Sequence, residues 1–115
     1  MAQGKRTLEE IIACYLETLI HLGIRPQKAL LYGSRARGIV TEDSDIDLLV
    51  VSRDFAGLDL RQRAEILGRA AAKIMEPVEA KGYTPEEIDL DRLPRASFLR
   101  HILTRPETTE YRLTR

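Results

Sequence analysis

Leu31-Tyr32-Gly33-Ser34-Arg35-Ala36-Arg37-Gly38 and, after ten residues beyond Ser34, Asp45-Ile46-Asp47-Leu48-Leu49-Val50-Val51 are the stretches that decide the fold. Ala29 to Tyr32 is a short apolar run bounded by turn formers and predicts a buried strand. It ends in Gly33-Ser34, where small residues let the chain turn sharply. Ile46 to Val51 predicts a second strand, apolar on most of both faces, as expected in the middle of a sheet. Residues two apart on a strand point to one face, so Asp45 and Asp47 bring two carboxylates together. Like charges that close are unfavourable unless a cation separates them, and hard divalent cations prefer oxygen ligands. The plain alternative makes Asp43, Ser44 and Asp45 turn residues and Asp47 a local cap. Against it, four apolar residues follow Asp47, and a carboxylate in a buried strand needs a partner.

The turn between these strands has its own chemistry. Backbone N–H groups and the Ser34 hydroxyl emerge together at a strand end, and glycine removes the side chain that would hold a phosphate away. A Gly-Ser turn with Arg35 and Arg37 beside it is also the composition of a solvated loop, so the turn alone does not decide.

Working outward, Thr7-Leu8-Glu9-Glu10 reads as a capping box. Leu8, Ile11, Ile12, Tyr15, Leu16 and Leu19 continue as one helical face, stopped by Gly23 and Pro26. Beyond the second strand, Leu60, Ala64, Leu67, Ala71 and Ile74 mark a long helix, with Arg61, Arg63, Glu65, Arg69 and Lys73 facing away and Pro77 closing it. Val78 to Tyr83 alternates as a third strand, with Val78 and Ala80 on one side and Glu79, Lys81 and Tyr83 on the other. Thr84-Pro85-Glu86-Glu87 repeats the capping-box pattern and predicts a short helix through about Leu90. Phe98, Leu99, Ile102 and Leu103 recur at helical spacing, and the end after Pro106 is polar and unpatterned. The order predicts an α/β (α+β) fold, one domain over residues 1–115, with a three-stranded sheet and helices packed mainly on one face.

Composition bounds what such a domain does. The chain has 115 residues, 43% hydrophobic and 31% charged, in the range of globular proteins able to bury one core. Eighteen basic residues cancel eighteen acidic ones, which argues against a broad basic surface for nucleic acid. Four Tyr and two Phe are too few for a row of base-stacking platforms, and Tyr32 and Tyr83 read as packing residues. No apolar run approaches the ~20 residues of a membrane span, and Met1 to Arg6 lacks a secretory apolar segment, so a cytoplasmic location is expected. The single Cys14 has no disulfide partner and reads as a small core residue of a reducing compartment. His21 and His101 have no second ligand at a useful spacing and read as surface or helix-end residues.

The strings at residues 31–38 and 44–51 resemble the signature of the nucleotidyltransferase superfamily that includes DNA polymerase β. They are most similar to its small branch, the minimal nucleotidyltransferase antitoxins encoded beside HEPN-domain toxins. The helix and strand order fits that family from about Thr7 to Leu103. The resemblance implies that Gly33 and Ser34 grip the triphosphate of an incoming nucleotide, and that Asp45 and Asp47 hold two magnesium ions. It implies a third metal-binding carboxylate on the next strand, which falls at Glu79, where many relatives carry the shorter aspartate. Read without the family, Glu79 is an exposed strand residue pairing with Lys81. Arg35 and Arg37 are candidates for phosphate contact. The implied reaction is transfer of AMP from ATP to a hydroxyl, with a nearby-encoded HEPN-family protein as the expected acceptor, in a homo- or hetero-oligomer and with no nucleic acid or membrane partner. The competing expectation is a non-catalytic antitoxin or assembly subunit that binds and blocks that partner.

Overall fold

In the computed structural model, residues 6–33, 35–36, 38 and 45–113 are described. Helix α1, Leu8–His21, begins as its sequence dictates: Thr7 N donates to Glu10 Oε1 at 2.7 Å and Glu10 N to Thr7 Oγ1 at 3.1 Å. Strand β1 is Lys28–Tyr32 and β2 is Ile46–Val51. Helix α2, Leu60–Ile74, follows, then β3, Val78–Tyr83. A 3₁₀ turn, Arg53–Phe55, follows β2, and a second, Glu86–Ile88, leads to the short helix α3, Phe98–Thr104, and to β4, Thr109–Tyr111.

The sheet order is β3-β2-β1-β4. β1 runs antiparallel to both β2 and β4, whereas β2 and β3 run parallel, which requires the crossover that α2 supplies. Alternation along the strands then divides the side chains. Ala29, Leu31, Ile46, Leu48 and Val50 pack under α1 and α2 with Ile12, Tyr15, Leu16, Leu67 and Ala70. Leu30, Leu49 and Val51 pack under α3 with Ile102. Burying each large aliphatic side chain contributes about 1.5–3 kcal/mol, so the first face carries most of the stability.

Three expectations are corrected. The sheet has a fourth strand: Thr109–Tyr111 pairs with β1 through Ala29↔Tyr111, Leu30↔Glu110 and Leu31↔Thr109. Three residues are too few to show alternation, so the polar end concealed it. The helices do pack mainly on one face as expected, with both long ones there and the short α3 on the other. The buried stripe of α2 is also rotated from the one expected. Leu60 is 74% exposed and Ala64 is exposed, while Arg63 is buried. Arg63 tolerates burial because its guanidinium donates to Leu58 O, Gly82 O and both carboxylate oxygens of Glu87, and lies 5.7 Å from the centre of the Phe55 ring. Thr84 and Glu87 exchange the reciprocal hydrogen bonds expected of them, although only a 3₁₀ turn forms there. Gly82 completes this corner, since a Cβ there would sit 2.5 Å from the Phe55 ring.

Candidate active site

Asp47 is the second residue of β2, and the register sets Tyr32 of β1 on one side of it and Glu79 of β3 on the other. Register partners share a face, so these three side chains form a row across the sheet on the α3 face. The same face is sealed further along β2, where Leu49 and Val51 are buried. The apolar cover ends before Asp47, which is half-buried, and Glu79, which is exposed. One strand therefore carries a core at one end and an accessible carboxylate at the other.

The row is electrostatically tense. Burial pushes the Asp47 carboxyl above the usual aspartate range; the charges of Glu79 and then Asp45 push it further, and Lys81 opposes them. Burial, followed by the charges of Asp47 and Glu79, pushes the Tyr32 hydroxyl up to about 12, so it stays protonated at neutral pH. Gly33 follows directly, with φ 77°, a backbone conformation side chains rarely adopt. A Cβ on Gly33 would collide with the Asp47 carboxylate, standing 3.3 Å from its Cγ. Glycine thus lets the turn backbone approach the carboxylate closely.

Of the expected site residues, the structure brings Gly33, Asp47 and Glu79 together, with Asp45 exposed immediately before β2 and close enough for its charge to act on Asp47. Arg35 is half-buried in the turn after Gly33. Ser34 and Arg37 lie outside the described residues. Among the described residues, no group of three His, Cys, Asp or Glu side chains converges into a metal site. The donor set nevertheless fits magnesium, which takes oxygen ligands and is commonly held by one or two carboxylates with substrate phosphates and water, without an all-protein cage. Two adjacent carboxylates, one already resisting ionisation, are the kind of pair a divalent cation relieves.

Sequence reasoning missed what surrounds the row. The Lys81 ammonium lies 5.9 Å from the centre of the Phe98 ring, and the same ring meets Tyr32 edge-on at 5.9 Å. Lys81 was legible in the β3 alternation that also exposes Glu79; Phe98 had no local signal beyond helical spacing. A cleft of about 250 Å³ opens beside Gly33, lined by Tyr32, Phe98, His101, Ile102, Arg105, Glu107 and Thr108. His101 is an exposed helix-end residue as expected, yet it also forms part of this wall.

The sequence matches the family model described as Nucleotidyltransferase domain over residues 15–103. No curated protein matches it significantly. Among solved structures, the chain is similar to a candidate nucleotidyltransferase from Sulfolobus solfataricus, with 21% identity, TM-score 0.55, and coverage of 75% of this chain and 82% of that one. It also matches a chain from a toxin–antitoxin structure with AMP-PNP, with 23% identity, TM-score 0.48, and coverage of 71% of this chain and 60% of that one. With the family model spanning most of the chain, and a glycine turn meeting a strand carboxylate inside the matched segment, this chain belongs to the nucleotidyltransferase domain family.

Proposed function

We propose that the protein is a magnesium-dependent nucleotidyltransferase that moves a nucleoside monophosphate, AMP from ATP, onto a hydroxyl of a partner protein. The observation that carries this reading is the Gly33–Asp47–Glu79 juxtaposition: a side-chain-free turn pressed against one of two neighbouring carboxylates. In this reading, Asp45, Asp47 and Glu79 hold magnesium, which supplies charge neutralisation at the attacking oxygen and at the departing pyrophosphate. Gly33 leaves room for phosphate oxygens beside Asp47, and backbone N–H groups of the turn, with the Ser34 hydroxyl, Arg35 and Arg37, bind the triphosphate. The β2–β3 pairing fixes Asp47 against Glu79, so orientation is set before substrate arrives. The Tyr32 hydroxyl, held protonated, can donate a hydrogen bond into the site and is no base.

The partner rests on the sequence resemblance to minimal nucleotidyltransferase antitoxins: a HEPN-family protein encoded nearby, in the cytoplasm. No helix among the described residues is long and apolar enough to cross a membrane. A second reading, a non-catalytic antitoxin that binds and blocks the same partner, is favoured by one feature, the exposed glutamate at 79, where the resemblance implies the shorter aspartate in many relatives. The two separate cleanly. With magnesium, ATP carrying labelled phosphorus at the α position and the neighbouring gene product, the enzyme labels a partner hydroxyl. A stable complex that acquires no label makes the protein a non-catalytic binder.

A further inference from the structure

In the transfer reading the cleft beside Gly33 holds neither phosphate nor metal, yet it opens from the residue where the phosphate turn begins. Part of its lining is apolar and aromatic: Tyr32, Phe98 and Ile102. Phe98 is the unusual member, a phenyl ring left 53% exposed beside the charged row. The rest of the lining, the His101–Arg105–Glu107 rim with Thr108, is polar and internally hydrogen-bonded. Arg105 pairs with Glu107 at 2.8 Å and its Nη1 lies 3.0 Å from His101 Nε2, while Thr108 Oγ1 donates to Ile102 O at 2.8 Å. At about 250 Å³ the space falls just below the roughly 300–1,000 Å³ of drug-sized sites, a size suited to one nucleoside.

We infer that this cleft receives the base and ribose of the donor nucleotide, with the base against the Phe98 ring and the sugar or base edge facing the His101–Arg105–Glu107 rim. The inference rests on the nucleotide-transfer reading, which places the phosphates at Gly33. From there the nucleoside has to leave the carboxylate row, and the cleft is a neighbouring concave surface that combines a planar aromatic wall with hydrogen-bonding groups. An aromatic platform is tolerant of base identity, so selectivity among nucleotides is set at the rim.

The chain has two histidines, and His21, at the end of α1, lies outside the cleft. Proton NMR of the full chain therefore contains its own control. Adding adenosine, and separately ATP with magnesium, shifts the His101 imidazole signals and leaves those of His21 in place. Phe98→Leu, which keeps apolar bulk for packing, weakens ATP roughly tenfold or more and leaves magnesium-tripolyphosphate binding unchanged. The inference is overturned if ATP binds with His101 silent, or if Phe98→Leu affects ATP and tripolyphosphate alike. Binding of neither ATP nor tripolyphosphate by the wild type overturns the transfer reading and this inference together. Adenosine at His101 without any tripolyphosphate binding overturns the transfer reading and leaves the nucleoside cleft standing.

Discussion

The two faces of the central strand β2 put neighbouring residues to opposite uses. Toward α1 and α2, Ile46, Leu48 and Val50 are fully buried, and long amphipathic helices cover the whole strand. Toward α3, Leu49 and Val51 are fully covered but Asp47 only in part, because α3 has seven residues and its cover stops short. The sealed face supplies the free energy that lets the other keep an unfavourable carboxylate pair. A small domain thus holds a tense site by confining it to one end of one face.

Substitutions can break this division, and the largest effect is expected at Asp47. Asp47→Asn lowers transfer on the order of 10³-fold, as loss of a charge-stabilising group does, measured as initial rate of label incorporation. The same variant melts at or above the wild-type temperature. Its sign follows from the raised pKa: the folded state binds the Asp47 proton more readily than the unfolded state, so the ionised carboxylate costs the fold stability as pH rises through that range. One residue on and one face over, Leu48→Ala inverts the pattern, costing about 3 kcal/mol by urea denaturation while nucleotide affinity of the folded fraction is kept. Gly33→Ala falls between them, at roughly 1–2 kcal/mol for the positive φ, with magnesium-ATP binding by calorimetry weakened because the new Cβ displaces the Asp47 carboxylate.

The smallest effect is expected at the far corner of the sheet, away from the site. Hydrogen bonds from Arg63 chiefly, and from Thr84, hold the Glu87 carboxyl below the usual glutamate range. A depressed folded pKa adds stability above the unfolded value of about 4.3 and loses it as pH falls through the folded value. Glu87 is 42% exposed, so Glu87→Gln costs about 1 kcal/mol near neutrality, and the difference from wild type shrinks below about pH 4 in thermal melts.

What the sequence made legible follows the strength of local pattern. The α1 capping box, strands β2 and β3 and the turn at Gly33 carry dense, local signals and lie where expected. The pairing of Glu79 with Asp47 was accessible only through family resemblance, since register between β2 and β3 is set by packing across an intervening helix. Arg63 reads as a solvent residue because its partners, Leu58, Gly82 and Glu87, come from three separate segments. β4 and the cleft beside α3 escaped for the same reason: their shape comes from tertiary contacts among residues with no periodic mark.

The central claim, that the row at the open end of β2 transfers the α-phosphoryl nucleoside, is tested most directly by label position. ATP labelled at the α phosphorus and ATP labelled at the γ phosphorus are each incubated with magnesium, the protein and its neighbouring partner, for wild type and Asp47→Asn. The account predicts that α label becomes covalently attached to a partner hydroxyl with pyrophosphate released, that γ label does not, and that Asp47→Asn attaches α label on the order of 10³-fold more slowly. Attachment of the γ label, or equal α labelling by Asp47→Asn, would contradict it.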